Sequence, residues 1–442
     1  MSESKSIKVK RGFAMSLQTL FFENLSPKQT VFKNSFWLFL GQGIGKLFKF
    51  FVVMTAARIL GPADFGAFNY LFSIVSLFFI FSDWGVGALI IRDYQKDSVN
   101  REKYIRSAAG LKIILVGVSF LAVLLGLLFF QSPIFKTNLI LLAVFLVVSN
   151  LRDFVVYLFR AFQKMEKEFW LVLAENLSLL MVGVSLLLIY KNIISLSLAY
   201  IGSMVISAVL ALILFKNYFF YLKPEWRGSH LKNLLINGAP IMFFGLLSFI
   251  FFATDQIILG KLRGTTEVGY YSIATKIILL INTVSGLLMT AVFPYLASQV
   301  SNVQKVIKIF RKALLGLVLL SVLLAIIGAV SAPIIPLIVG PQYGPAVGLF
   351  RFFIWIIVFM FPIALFDYIL FVYNKQWLNF WFTAACAVIN VILNFILIPR
   401  YGMFGAAAAS VMVQFLNFAI SWYLSRRVMN NALKLSSATG NP

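Results

Sequence analysis

Two lysines, Lys46 and Lys49, lie one helical turn apart inside an apolar segment near the start of the 442-residue sequence. Lys46 is about eleven residues into this segment, on the order of 16 Å along a helix that rises about 1.5 Å per residue. A charge at that depth in a membrane costs about 2.5–3.5 kcal/mol on insertion scales, so it tends to face a cavity or a partner. Because two neighbouring ammonium groups repel each other, the pair predicts a bound anion.

Other charged residues also fall within apolar segments. Lys276 lies roughly 12 Å from the end of a later segment, and Glu175 lies about 9 Å from the end of another. Asp83, Arg152 and Asp255 are shallower, and an ion pair or a side chain reaching the interface explains their positions as well as a functional role does. We take Glu175, Asp83, Arg152 and Asp255 as candidate coupling or gating residues.

The sequence offers little for metal binding or covalent catalysis. It contains one cysteine, Cys386, and one histidine, His230, which predicts neither an intrachain disulfide nor a His/Cys metal cluster. We find no Gly-rich phosphate loop of the nucleotide-hydrolysing kind. We therefore expect no enzyme activity, no bound metal and no cofactor, with H⁺ and Na⁺ as candidate coupling ions.

The segments that carry these charges must be membrane-spanning helices. The chain is 61% hydrophobic and 12% charged, with a mean hydropathy of +0.93, more apolar surface than a soluble globule can bury. Runs such as residues 108–130 reach the ~20 residues that a helix needs to cross a bilayer, and they are apolar on every face, unlike barrel strands. We predict an all-α integral membrane protein with about twelve transmembrane helices.

The basic residues separate by loop. About 26 lysines and arginines fall on one side of the predicted spans and about 6 on the other, which predicts cytoplasmic N and C termini. This distribution, with attraction to anionic lipids, explains the net charge of +23 better than nucleic-acid binding does. Residues 1–33 form a basic cytoplasmic tail, for which we predict an amphipathic interfacial helix.

A repeated turn divides the chain in two. The stretch ILGPADFGAFNY, from Ile59, is echoed by ILGKLRGTTEVGYYS, from Ile258. Each copy follows the first predicted span of a group of six, so we predict two six-helix lobes in the same orientation, residues 34–222 and 231–428, followed by a cytoplasmic tail, 429–442. Transporters of this architecture bind their substrates between the lobes.

Five motifs, in order along nearly the whole chain, carry a family resemblance: LGPADFG, SDWGVGALIIRD, ATDQIILG…EVGYYSIATKI, IIPLIVGPQYGPAV and LNFILIPRYGMFGAAAAS. Together they resemble the O-antigen and polysaccharide flippases, a branch of the multidrug/oligosaccharidyl-lipid/polysaccharide exporter superfamily. The resemblance implies a flippase that moves polyprenyl-pyrophosphate-linked oligosaccharide from the inner to the outer leaflet by alternating access, for cell-surface polysaccharide assembly. The implied partners are this lipid, the membrane lipids and other polysaccharide-assembly membrane proteins.

With that resemblance, the predicted anion is the pyrophosphate, held by Lys46 and Lys49 with Lys276 facing them from the second lobe. Two alternatives stay open. A cation-coupled multidrug exporter has the same plan, but its site would favour carboxylates at mid-membrane, whereas the deepest charges here are mostly basic. A membrane glycosyl polymerase or ligase would place catalytic residues in a sizeable outer loop, and the outer loops here are only about 5–15 residues.

Overall fold

The computed structural model describes residues 22–24, 26–94, 101–226, 228–299 and 302–438. All the regular elements in these ranges are helices, which confirms the predicted all-α fold. Residues 1–21 of the basic tail, which hold nearly all of the stretch predicted to form the interfacial helix, lie outside the described residues, as do residues 439–442.

Nine helical stretches in the described ranges are long and apolar enough to cross a membrane. Two of them, Gln29–Asp93 and Trp377–Lys434, have 65 and 58 residues. Trp377–Lys434 is broken at Gly402 (φ 56°) and contains two helices, whereas Gln29–Asp93 is broken at Gly61 (φ 72°) and again at Trp84–Gly85 (φ 49° and 74°) and contains three. The total of twelve spans, the lobe boundaries and the cytoplasmic termini stay predictions.

In the first half, residues 26–94 and 101–222 form seven long or short α-helical stretches. They are α1 (27–60), α2 (62–83), α3 (Val86–Asp93), α4 (Arg101–Leu125), α5 (Pro133–Ala161), α6 (Met165–Tyr190) and α7 (Ile193–Phe215). Within this half α5 and α6 both pack against α7, and α1–α2 contact α4, α5 and α6. Asn192 begins α7 by accepting a hydrogen bond from the backbone N–H of Ser195 at 2.8 Å, which satisfies one of the free donors at the helix start.

In the second half, residues 228–299 and 302–438 form eight α-helices. They are α8 (Gly228–Arg263), α9 (Thr265–Ser298), α10 (Val303–Ser331), α11 (Ile334–Val339), α12 (Gly344–Phe353), α13 (Ile357–Val372), α14 (376–401) and α15 (403–438). Here α8 and α13 pack against the α14–α15 pair. The two halves meet chiefly where α9 packs along α1 and α2, so this seam positions any site between them.

The two copies of the repeated turn have nearly the same backbone conformation. Gly61 has φ 72° and ψ 174°, and Gly264, at the equivalent position, has φ 93° and ψ 172°. Both values lie in a region that only glycine enters without strain. Each glycine therefore allows the chain to leave one helix and enter the next, with the same turn geometry in both copies.

Five residues after each turn glycine, a second repeated glycine brings the two halves together. A Cβ on Gly66 would lie 1.8 Å from the carbonyl oxygen of Thr265, and a Cβ on Gly269 would lie 2.1 Å from that of Pro62. We call this pair of approaches the reciprocal glycine contact. Because both neighbours are backbone atoms, no side-chain movement could make room for a larger residue. The contact closes the end of the molecule that the charge pattern predicts to be outer.

The halves also touch at the opposite end of α2. The Trp84 Nε1–H donates to the carbonyl oxygen of Leu235 at 3.0 Å, and a Cβ on Gly238 would lie 2.3 Å from the Trp84 carbonyl oxygen. Trp84 belongs to the SDWGVG motif, so this motif holds α2 against the start of α8. A cavity lined by residues of both halves lies along α1 and α9.

Candidate functional site

The structure brings the three predicted lysines into one cavity of about 380 Å³. We call it the lysine cavity. Lys46 and Lys49 enter it from α1 and Lys276 enters it from α9, so the two halves of the chain contribute charge to the same space. The remaining lining residues are mostly apolar: Phe50, Val53, Leu279, Leu280 and Thr283. The role of the three lysines in binding stays a prediction.

The three lysines have no carboxylate partners within the described residues. The ion pairs found there engage other basic groups, and Lys46, Lys49 and Lys276 take part in none of them. The Lys49 ammonium lies 5.7 Å from the centre of the Tyr200 ring, which is a weak attraction. The cavity is thus electropositive and suited to an anion that also carries an apolar group.

A second cavity of about 490 Å³ lies on the other side of the same two lysines. Lys46 and Lys49 line both spaces, while Lys276 lines only the first. We call the second space the polar cavity, because α5 and α6 supply it with charged and amide side chains. Its polar lining residues are Gln42, Lys46, Lys49, Arg152, Asp153, Tyr157, Arg160, Glu168, Glu175 and Asn176.

The carboxylates of the polar cavity are paired with arginines. Arg152 donates to Glu175 at 2.6 Å and to Asp153 at 2.7 Å, and its Nε–H donates to the Ser207 hydroxyl at 3.0 Å. Arg160 binds both carboxylate oxygens of Glu168, at 2.8 and 2.5 Å. The candidate residues Arg152 and Glu175 are therefore partners of each other. Glu175 thus forms its ion pair with an arginine and not with Lys46 or Lys49.

Asp83, another candidate, accepts a 3.0 Å hydrogen bond from Lys112, whose ammonium also donates to Asn150 at 2.9 Å. Lys112 is only 2% exposed, and it is not among the functional residues predicted from the sequence. Its position inside a predicted membrane span was the one sequence feature that could have indicated a buried, paired lysine. Its partners are on other helices, and the sequence alone did not indicate which helices pack together.

Asp255 is the candidate with a different environment. Its side chain is 2% exposed and accepts hydrogen bonds from Tyr271 at 2.6 Å, from Asn394 at 2.5 Å and from Ser410. No basic group lies within ion-pair distance of it in the described part of the chain. Its partners come from α9, α14 and α15, so Asp255 is at the centre of the second half.

Two buried amide oxygens in the second half lack hydrogen bonds, one in Asn394, which contacts Asp255, and one in Gln414, four residues after the Asp255 partner Ser410. The amide oxygens of Asn394 and Gln414 find no donor among the described residues. Unpaired buried acceptors are costly, so such atoms indicate a missing partner. Oxygen ligands beside a carboxylate are the donor set that hard cations prefer. From the sequence, Asn394 and Gln414 were two of many polar residues within spans, and periodicity could not choose among them.

The all-helical fold, the spanning stretches and the charged space between the halves define a multi-pass membrane protein built like a transporter. A family model described as polysaccharide biosynthesis protein matches residues 31–300. The chain belongs to this family. A second model, described as MatE, matches residues 240–396.

The chain is similar in sequence to one polysaccharide biosynthesis protein and in fold to two solved structures. The capsular polysaccharide biosynthesis protein CapF of Staphylococcus aureus is 20% identical over 423 residues, covering 90% of this chain and 99% of that protein. An inward-facing multidrug resistance transporter of the MATE family has a TM-score of 0.74 at 13% identity, with 89% and 96% of the two chains covered. The lipid II flippase MurJ, in an inward closed conformation, has a TM-score of 0.63 at 16% identity, with 89% and 90% covered.

Proposed function

We propose that the protein is a flippase that moves polyprenyl-pyrophosphate-linked oligosaccharide from the inner to the outer leaflet of the cytoplasmic membrane. The observation that carries this proposal is the lysine cavity, where three ammonium groups from both halves of the chain lie without carboxylate partners in the described structure. Lysines bind phosphate as point charges, which suits a group that must be released on the far side. The membership in a polysaccharide biosynthesis family supports the glycan part of the substrate.

The lysine cavity also suits a lipid. Phe50, Val53, Leu279 and Leu280 line it beside the lysines, so a ligand there meets charge and apolar surface together. The glycine contact closes the predicted outer end, and the similarity to an inward-facing transporter fits loading from the inner leaflet. Rocking of the halves would then open the glycine contact and release the head group outside.

A cation-coupled drug exporter is the second candidate, and the MatE match and the buried carboxylate of Asp255 favour it. The unpaired lysines argue against it, because they would repel a cationic drug from the cavity between the halves. Enzyme activity on glycosidic bonds has less support, since the family and the fold are those of transporters. Formation or cleavage of such bonds by the purified protein would overturn this ranking.

A reconstituted system tests the function directly. Proteoliposomes are loaded with a polyprenyl-pyrophosphate-linked oligosaccharide, and a membrane-impermeant glycosidase reports the fraction that has reached the outer leaflet. We expect rapid transfer in protein-containing vesicles and slow transfer in protein-free ones. Transport of a cationic amphiphile in place of the pyrophosphate lipid would favour the exporter.

The membrane potential should drive the transfer. A pyrophosphate diester carries about two negative charges, so 100 mV, inside negative, favours outward movement by about 4.6 kcal/mol, at about 2.3 kcal/mol per charge. If the lysines cross the membrane field together with the bound pyrophosphate, the neutral complex gains little energy from the potential. The same energy is then gained when the positively charged empty site returns inward. We expect flipping to accelerate when the receiving side is made positive by a K⁺ diffusion potential, without Na⁺ or pH gradients. A rate that ignores the potential would contradict the electrogenic cycle.

We also propose that a cation, H⁺ or Na⁺, binds at Asp255 and couples to the cycle. Glu175 and Asp83 stay candidates, but each already has a basic partner. Asp255, with the oxygens of Asn394 and Gln414, has the donor set that would hold the ion.

In Asp255→Asn, the acceleration of flipping by an inward Na⁺ or proton gradient should fall by about tenfold or more, because the charged ligand is lost. The measurement is the flipping rate with and without each gradient at zero potential. Asp64→Asn, at an exposed position in the first repeated turn, is the matched control and should keep the acceleration. Undiminished acceleration in Asp255→Asn would exclude this carboxylate.

A further inference from the structure

We propose that the polar cavity binds the sugar attached directly to the pyrophosphate, and that this sugar is uncharged. The inference rests on the proposed function, since it assigns one part of the same lipid-linked substrate. Its starting point is the position of Lys46 and Lys49, which line both cavities.

The order of surfaces along the two cavities matches the order of groups along such a substrate. On one side of the two lysines the lining is largely apolar, with Phe50, Leu279 and Leu280. On the other side it is polar and charged, with Gln42, Asn176 and the arginine–carboxylate pairs. A pyrophosphate held at the lysines would therefore direct its polyprenyl chain toward the first side and its sugar toward the second.

The polar cavity has the size and the hydrogen-bonding groups for a sugar. Its volume of about 490 Å³ lies within the range of about 300–1,000 Å³ that is usual for small-ligand sites. An arginine carries five N–H donors and a carboxylate about four acceptor positions, so the ion pairs leave groups of both kinds free. Asn176 uses its N–H to bind the Val172 carbonyl oxygen at 2.8 Å, and the Gln42 side chain is exposed to the cavity. Sugar hydroxyls both donate and accept, so they can use this mixed lining.

The charge of the lining indicates that the sugar is neutral. Asp153 and Glu175 are both bound to Arg152, and Glu168 is bound to Arg160. A uronic acid placed here would bring a further carboxylate toward three existing ones whose arginines are already engaged, and an unpaired charge in such a site is costly. The unpaired positive charge is at Lys46 and Lys49, where the pyrophosphate would neutralise it.

The test compares three soluble pyrophosphate diesters by their Kd for the purified full-length protein in detergent: farnesyl pyrophosphate capped as its methyl ester, which is the sugar-free reference, farnesyl-pyrophosphoryl-glucose and farnesyl-pyrophosphoryl-glucuronic acid. We expect the glucose probe to bind about tenfold more tightly than the sugar-free reference, as one or two net hydrogen bonds would give. The glucuronic acid probe should lose this advantage. Gln42→Ala and Asn176→Ala should each reduce the glucose advantage severalfold while leaving the Kd of the sugar-free reference unchanged.

Thr283→Ala is the matched control, because Thr283 lines only the lysine cavity, and it should leave the glucose advantage intact. Thermal unfolding of each variant identifies any that fold poorly. If Asn176→Ala is unstable, Gln42→Ala still tests the sugar site, because the Gln42 side chain is exposed. Equal binding of the glucose probe and the sugar-free reference by the wild type would overturn the sugar site alone. Tighter binding of the glucuronic acid probe would overturn the neutral sugar. If none of the probes binds, the proposed function itself fails.

Discussion

Replacing Lys46 and Lys49 together with glutamine should abolish complementation of a flippase-null strain and reduce flipping in proteoliposomes by about 10²–10⁴-fold. Each lysine would donate a charge-assisted hydrogen bond to the pyrophosphate, worth about 1.5–3 kcal/mol, and the double substitution removes two of them. The lysines line the junction of both cavities and have no carboxylate partners in the described residues. Their loss should therefore affect the ligand more than the stability of the fold.

The matched control is the double variant Lys136→Gln, Lys261→Gln. Both lysines are exposed and line neither cavity, so this variant loses the same net charge with little expected change in rate. Lys276→Gln should have a smaller effect than the double substitution, because two lysines remain. Full activity of the Lys46, Lys49 double variant at normal expression would remove both residues from the substrate site.

Alanine at Gly66 or Gly269 should stop the transport cycle before the predicted outer end closes. Each added Cβ would overlap a backbone carbonyl oxygen across the reciprocal glycine contact, so the predicted outer end could no longer close as it does here. An added methyl group in a packed site that can relax destabilises the packed state by about 1–3 kcal/mol. Because backbone atoms lie on both sides of this contact, we expect the closed state to be destabilised by at least about 3 kcal/mol. We expect at least about a hundredfold slower flipping, with the protein accumulating in an outward-open form.

Accessibility of the lysine cavity distinguishes this effect from misfolding. The chain's single cysteine, Cys386, is buried, so a cysteine introduced by Thr283→Cys in the lysine cavity would report on opening. A membrane-impermeant maleimide added outside should label it faster in the Gly66→Ala background than in the wild type. Gly286→Ala, in the same helix as Gly269 but with open space around its Cβ position, should change neither labelling nor rate. Unchanged labelling in Gly66→Ala would refute the closing role.

Hydropathy and depth were sufficient to predict the helical fold and the three lysines that share a cavity. Lys46 and Lys49 could be grouped from the sequence because they lie on one helix face. Lys276 could be added to them because it also lies deep within its predicted membrane span. The partners of Asp83, Arg152 and Asp255 could not be predicted. Their spans are apolar on nearly every face, so the sequence does not define the rotation of each helix, and contacts such as Lys112 with Asp83 or Asn394 with Asp255 depend on that rotation.

The reciprocal glycine contact is isologous in the sense used for symmetric oligomers. Pro62 and Thr265 are equivalent positions in the two repeated turns, as are Gly66 and Gly269, so each half presents to the other the same surface that it receives. A homodimer of six-helix chains, related by a two-fold axis along the membrane normal, could close its outer end with the same contact made twice. In the present chain each half makes this approach once, while the lysines of the cavity differ between the halves, two in one and one in the other. Separately expressed halves would retain the complementary surfaces needed to assemble.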